Sequence, residues 1–424
     1  MCKTGYMWLV LCLMTMCATA SAETIYATPE TLADILERVE PGTTIICEGG
    51  LYSGGFRIAR SGRKGAPITL TAGAPGVVFD GGLNGLRIDA ASHIIVEGIR
   101  FQRAERAGIF VPAPAADHAS HVTVRNCVLA NNGTQGILTG FIDHMTIENC
   151  HVYGNRGSHG IYVSNSGDYP VVRGNLIHHN AKCGIHVNGD PAAGGDGVIS
   201  FAIIENNRIW ENGKPGGGSA INMTHVQDSI IRNNLAYNNY AGGIVTYYDT
   251  GGAACASKRN TIVNNTVLFR PGEGRWALAL QRSSTDTVVK NNILVGGRWA
   301  AVEVQESSLE GLVMDHNVIA NHDRQQLFNE ALEDYPGQLA DRAADPQASA
   351  AYWQEMGLNV NSSIGRMPQF ENLAAADYRL APGSVGIDTG ADLGELVPAD
   401  IEGILRPQGG AFDCGCHETV ASAQ

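Results

Sequence analysis

Five side chains in the middle of the sequence belong to the types that move protons: His159, Tyr162, Lys182, His186 and Tyr247. Two of them sit in a phrase that is said twice. Gly160-Ile161-Tyr162-Val163-Ser164-Asn165 returns as Gly184-Ile185-His186-Val187-Asn188-Gly189, with the apolar letters kept and the polar ones changed. A neutral imidazole accepts a proton near pH 7 and a phenol donates one, so His186 reads as general base or acid, with Tyr162 or Tyr247 as its complement. Asn165, Asn188, Asn222 and Thr224 carry the amide and hydroxyl groups that bind sugar hydroxyls, and Asn188 and Asn222 suit a carboxylate that gains charge. Arg275 could hold a carboxylate and Trp276 a sugar ring, although Trp276 equally suits packing under its own loop. Lys182 could supply positive charge, against the plain reading of a solvated lysine. His159 suits a bend as well as the site. Asp190 and Asp196 flank a Gly-rich loop that could fold around calcium, yet their spacing matches no standard calcium loop and turn formation accounts for both, so no cofactor is fixed by the sequence.

The elements that position these groups are repeats. The motif "apolar-apolar-x-x-N/C-x-apolar" aligns Cys127, Cys150, Asn175, Asn207, Asn234, Asn265, Asn292 and Asn317 in one column. Asn132, Asn155, Asn180, Asn212 and Asn239 form a second, and Ile137, Ile161, Ile185, Ile221, Ile244, Leu278 and Val302 an apolar third. Apolar residues alternate with period two in short bursts separated by Asn and Gly, which is strand patterning with tight bends. A coil this short cannot bury its own apolar face and must stack on its neighbours, so the fold class is all-β, a parallel β-helix. Asn at the bends tolerates left-handed backbone, and its amide can bond to the coils above and below. Cys127 and Cys150 would stack about 4.8 Å apart, which suits two thiols at least as well as a disulfide.

With the apolar column inward, the next positions face out. Tyr162, His186 and Asn222 then share one exposed face with Ser164, Asn188, Thr224 and Tyr247. The longest insertions flank the same strand: residues 189–200 and 248–257 after it, 213–219 and 270–276 before it. They would wall a cleft that spans several coils, a shape for a polymer.

The ends differ. Residues 1–22 read as a secretory signal, with Lys3, an apolar run and Ala20-Ser21-Ala22, so secretion or export to the periplasm is expected. Residues 23–50 form an N-terminal cap whose short helix has Thr28 as N-cap, Pro29 at its first position, and Leu32, Ile35, Leu36 and Val39 on one face. The β-helix spans 51–320, a polar helical insertion 321–365 and a closing segment 366–424. Seven of the ten cysteines follow the signal, an odd number that leaves at least one unpaired. A net charge of -13 without a basic run argues against nucleic acid as a partner. No later segment is apolar enough to span a membrane, and a monomer is expected.

The coils from His93 to Ile319 resemble the right-handed parallel β-helix repeats of pectate-lyase-like proteins. The tail, with "DYRLAPGS" and then "D.EG..RP.GG..D.G..E", is similar to the C-terminal segment of secreted bacterial members. That resemblance implies fold more than reaction, because these repeats carry lyases, epimerases, hydrolases and non-catalytic proteins. "HGIYVSN" is similar to the "HGI" segments of alginate epimerases, but the fuller "DPHD" signature of that family is absent. Three functions stay open. The first is a lyase or C5-epimerase on an acidic, uronate-containing polysaccharide. The second is a glycoside hydrolase built on loop carboxylates, and the third a non-catalytic carbohydrate-binding or surface protein.

Overall fold

In the computed structural model the described residues are 23–214, 217–322, 328–329 and 346–420. Residues 1–22, expected to be a signal, much of the expected 321–365 insertion and two residues of the 213–219 loop lie outside them. Three parallel sheets of 12, 12 and 11 strands run the length of the molecule, and the chain visits them in rotation, one strand per sheet per coil. The first sheet runs from Thr24–Ala27 to Val313–Asp315, the second from Gly50–Ser53 to Ser363–Ile364, and the third from Phe56–Ile58 to Phe328–Asn329. The chain is a parallel β-helix, and the apolar column is its interior: Ile137, Ile161, Ile185, Ile221, Ile244, Leu278 and Val302 are all wholly buried.

Both asparagine ladders form. Asn175, Asn207, Asn234, Asn265 and Asn292 each donate from Nδ2 to the Oδ1 of the next member, at 2.9 to 3.0 Å, ending on Asn317. Asn132, Asn155, Asn180 and Asn212 do the same up to Asn239. The left-handed backbone falls elsewhere, however. Asn126, Asn149, Asn206, Asn233, Asn264 and Asn291, each one residue before its ladder position, take φ between 51° and 57°. Two adjacent residues thus divide the work: one turns the chain and the next carries the hydrogen bonds. Cys127 and Cys150 hold the ladder's first positions as buried free thiols.

The first helix is Leu32–Arg38, with Thr31 rather than Thr28 at its N-cap position, because Thr28 and Pro29 form the turn before it. Leu32, Leu36 and Val39 are buried against the first coils, as their spacing predicts. Toward the other end, the helix Pro346–Glu355 places Trp353 in the main core. The tail runs along the side of the β-helix. Asn233, Asn264 and Asn291 donate to carbonyls of Ala399, Asp413 and Ala391, while Tyr378, Leu380 and Cys416 pack on Leu235, Ile293 and Val318.

On the second sheet's outer face, His178 sits between His151, 2.7 Å from its Nε2, and His179, 2.7 Å from its Nδ1. Burial, then the two neighbouring rings, push His178 down to about 4 from its ordinary 6.5. The unfolded chain takes up a proton below pH 6.5 that the folded chain refuses until about pH 4, so this ring lowers stability as pH falls through that window. Denaturant midpoints measured between pH 7 and 4 should fall less steeply for His178→Gln than for the parent. Equal slopes would show that the ring does not titrate with folding.

Candidate active site

The third sheet carries the site. Parallel pairing sets Leu138, Tyr162, His186, Asn222, Val245, Ala279 and Glu303 side by side. Ser164, Asn188, Thr224 and Tyr247 form the neighbouring row. The repeated "GI" that enters these strands is structural: a Cβ on Gly160 would sit 2.8 Å from both Asn180 Nδ2 and the Gly184 carbonyl oxygen. The residue two places before the core isoleucine varies: successive coils place Gln135, His159 and Cys183 there before a glycine, and Ser219 before Ala220.

The insertions stand as two margins. Loops 189–200 and 248–257 leave the C-terminal ends of their strands and touch, a Cβ on Gly251 falling 2.9 Å from Pro191 Cγ. On the N-terminal margin Glu211 pairs with Arg270, and a Cβ on Gly217 would lie 4.0 Å from Arg275 Nη2. These walls change the character of the floor. Asn188, Asn222 and Thr224, expected to be exposed, are 9%, 7% and 1% accessible. They point away from the core yet are buried, because outward on a walled sheet is not the same as solvated.

At the centre, Tyr162 and His186 stack at 4.8 Å with a 9° angle between planes, and His159 meets both edge-on. Hydrogen bonds fix the tautomers. The Cys183 amide donates to His159 Nδ1 (3.2 Å), so the ring proton of neutral His159 is on Nε2, which faces His186 Nδ1 at 3.1 Å. His186 therefore accepts at Nδ1 and carries its proton on Nε2, 3.4 Å from Thr224 Oγ1. In this arrangement the Nδ1 lone pair of His186 is engaged and the nitrogen toward the row of Thr224 is a donor, which fits the acid side of the base-or-acid reading. Burial is the main cause that drives His159 down to about 2 and His186 down to about 4, so both rings are neutral at pH 7.

The asparagines brace the phenols. Asn188 Nδ2 donates to the Tyr162 hydroxyl (3.3 Å), and Asn222 Nδ2 to the Tyr247 hydroxyl (3.1 Å). Burial first, then the charges of Asp190 and Asp249, raise the Tyr162 phenol and keep it protonated. Lys182 is exposed on the N-terminal margin, near enough to both histidines to disfavour their charged forms. Arg275, also exposed, lies 5.1 Å from the Trp299 ring and 5.9 Å from that of Trp276.

Other expected residues stand apart. Trp276 is 7% accessible and packs with Val245, Ala279 and Ala300, so it offers no open face to a sugar. Asn165 is a left-handed bend residue (φ 61°) whose amide bonds to the Asn188 carbonyl. Asp196 caps the Val198 amide in a turn, and Asp190 begins a short 3-10 turn, so both aspartates shape the loop rather than converge with a third acid. Among the described residues, the one group of three His, Cys, Asp or Glu side chains with donor atoms within 4.8 Å of one another is His159, Cys183 and His186.

Two floor residues escaped the sequence reading. Cys183 was counted only among the seven cysteines after residue 22, and its place two residues before Ile185, matching His159 before Ile161, was the signal. His225 is wholly buried at a left-handed bend, with Nδ1 3.2 Å from Asn188 Oδ1 and Nε2 3.0 Å from the Thr250 carbonyl and 3.3 Å from Asp249. It ties the 248–257 loop to the floor, and its neighbour Thr224 was the signal that could have found it.

Comparison with curated protein sequences finds no match. Among solved structures, the pectate lyase Pel9A is similar over 93% of this chain and 96% of its own, at 16% identity and a TM-score of 0.56. A mannuronic acid specific polysaccharide family 6 lyase from human gut microbiota is similar over 73% and 77%, at 15% identity and a TM-score of 0.53. The mannuronan C-5 epimerase AlgE4 A-module of Azotobacter vinelandii is similar over 74% and 90%, at 13% identity and a TM-score of 0.53. At these identities the likeness is one of fold. Among the described residues no helix is long and apolar enough to cross a membrane. The sequence matches the right handed beta helix region over residues 76–214 and 217–332, and the chain belongs to that family.

Proposed function

We propose that the chain acts on a uronate-containing polysaccharide by removing the proton at C5, as a lyase or a C5-epimerase. The observation that carries this reading is a protonated Nε2 of neutral His186 between two amide-braced tyrosines, with Lys182 and Arg275 on one margin. C5 proton removal needs the carboxylate neutralised, a base, and for elimination an acid at the leaving oxygen. Tyr162, held as a phenol, is the acid. Tyr247 is the proton acceptor in its phenolate form, and the Asn222 amide that donates to its oxygen stabilises the negative charge held there before the transfer. His186 Nε2–H turns from its long contact with Thr224 to the enolate-like carboxylate, the role a neutral imidazole fills as an electrophile. In elimination the C5 proton goes to the Tyr247 phenolate, the C4–O bond breaks as the Tyr162 proton goes to the glycosidic oxygen, and a C4–C5 double bond remains; proton exchange with solvent then restores the Tyr247 phenolate and the Tyr162 phenol. Epimerisation shares the first step and returns the proton from the opposite face.

Three of the structures of like fold are named for lyase or epimerase work on pectate, mannuronic acid or mannuronan, which agrees with this substrate class. The test is a panel of pectate, mannuronan, guluronan and neutral polysaccharides. Absorbance of unsaturated ends together with new reducing ends is the lyase result, and a change in C5 configuration without chain cleavage is the epimerase result. New ends without absorbance would overturn the proposal in favour of hydrolysis through Asp190 and Asp249, whose charges already reach Tyr162. No product and no C5 exchange on any acidic polymer would leave a binding protein.

A further inference from the structure

We propose that His159, Cys183 and His186 form a site for a borderline-soft transition-metal ion, zinc(II) above all, with a fourth position left for water or a ligand. The three side chains come from two stacked coils. His159 and Cys183 occupy the same repeat position, each two residues before a core isoleucine, and His186 follows Cys183 by three residues on the same coil. Their donor atoms lie within 4.8 Å of one another. The 3.1 Å between His159 Nε2 and His186 Nδ1 is close to the ~3.3 Å edge expected between two nitrogens on a tetrahedral zinc. One thiolate and two imidazoles is a donor set that favours zinc or copper over calcium or magnesium. Three protein ligands are the number found in open rather than closed zinc sites.

The outer contacts are half prepared. His186 already has Nδ1 free of hydrogen and Nε2–H directed at Thr224, the orientation that steadies a ligating imidazole. His159 must change: its proton moves from Nε2 to Nδ1, so the ring gives up the 3.2 Å bond from the Cys183 amide. Cys183 loses its thiol proton to solvent. Loading therefore releases about one proton per ion and alters the environment of the Cys183 amide. Another close histidine group does not compete in this way. His178 presents opposite nitrogens to His151 and His179, so one ion cannot reach all three.

The test uses the reduced full chain titrated with zinc(II) and, as a spectroscopic probe, cobalt(II). One ion per chain is expected, with tetrahedral cobalt absorption and a thiolate-to-cobalt charge-transfer band. Substitutions can copy what the same position carries one coil away: His159→Gln from Gln135, Cys183→Ser from Ser219, and His186→Asn from Asn222. Each is compatible with the repeat, and each should weaken zinc binding by at least ~100-fold. Cys183→Ser should also abolish the charge-transfer band, while His178→Gln leaves both readouts unchanged. Failure of the parent to bind either ion, or survival of the band in Cys183→Ser, would overturn the site. The readout is binding, so it stands or falls separately from any turnover on polysaccharide.

Discussion

His186→Ala should lower turnover on the polymer substrate by on the order of 10² to 10³, the loss seen when one donor to a developing oxyanion is removed. His186→Gln should recover part of that loss. A glutamine amide can donate from a position near Nε2 but cannot accept a proton as a base, so the pair of variants separates the two roles that imidazole could play. The chain of bonds from the Cys183 amide through His159 to His186 leaves a hydrogen, not a lone pair, at Nε2. Equal inactivity of the alanine and glutamine variants, with folding intact by circular dichroism, would return His186 to the role of base. Near-normal turnover of His186→Ala would remove it from the mechanism. Tyr247→Phe supplies the contrast, because the ring stays and only the acceptor oxygen is lost, and a fall of ~10² to 10⁴ is expected.

The register of this site was legible because a β-helix repeats its geometry. Once Ile161, Ile185 and Ile221 are aligned, the residues one and three places later must line up on adjacent coils, as Tyr162, His186 and Asn222 do. The state of the side chains was not legible in the same way. Asn222 and Thr224 are buried with Tyr247 and His186 of neighbouring coils against them, and the His186 tautomer is set by the Cys183 amide of its own coil acting through His159 of the coil before, neither of which a repeat pattern encodes. Trp276 shows the same limit: its Arg-Trp setting suggested a platform, yet insertion beside Ala279 and Ala300 buries it. The ladder was read correctly as scaffold, but the left-handed turn was assigned one residue too late, since Asn occupies both Asn233 and Asn234 and composition alone cannot say which of the two bends.

The tail motif "D.EG..RP.GG..D.G..E" gains a physical meaning from its contacts, and that meaning sets the largest stability effect expected in the molecule. Its charged residues face one another in the protein. Arg406 Nη1 donates to Glu418 Oε2 at 2.7 Å with both side chains wholly inaccessible, and Arg406 Nη2 donates to the Gly415 carbonyl. Glu418 also accepts from the Gln408 and Asp413 amides, while Asp400 accepts from the amides of Glu402, Ile404 and Glu418. This network holds the tail against the bends at Asn233 and Asn264, away from the cleft. Removing one partner strands a buried charge, so Arg406→Met should destabilise the chain by about 3 to 5 kcal/mol. Glu418→Leu should do the same, whereas Arg406→Met combined with Glu418→Leu should recover much of the loss because no charge is left without its partner. Denaturant midpoints of the four proteins measure the coupling. Additive losses would mean that each residue acts through its backbone contacts and not through the pair. Turnover per folded molecule should be unchanged throughout, which would mark the motif as the fastening of the tail and leave the chemistry to the walled face of the third sheet.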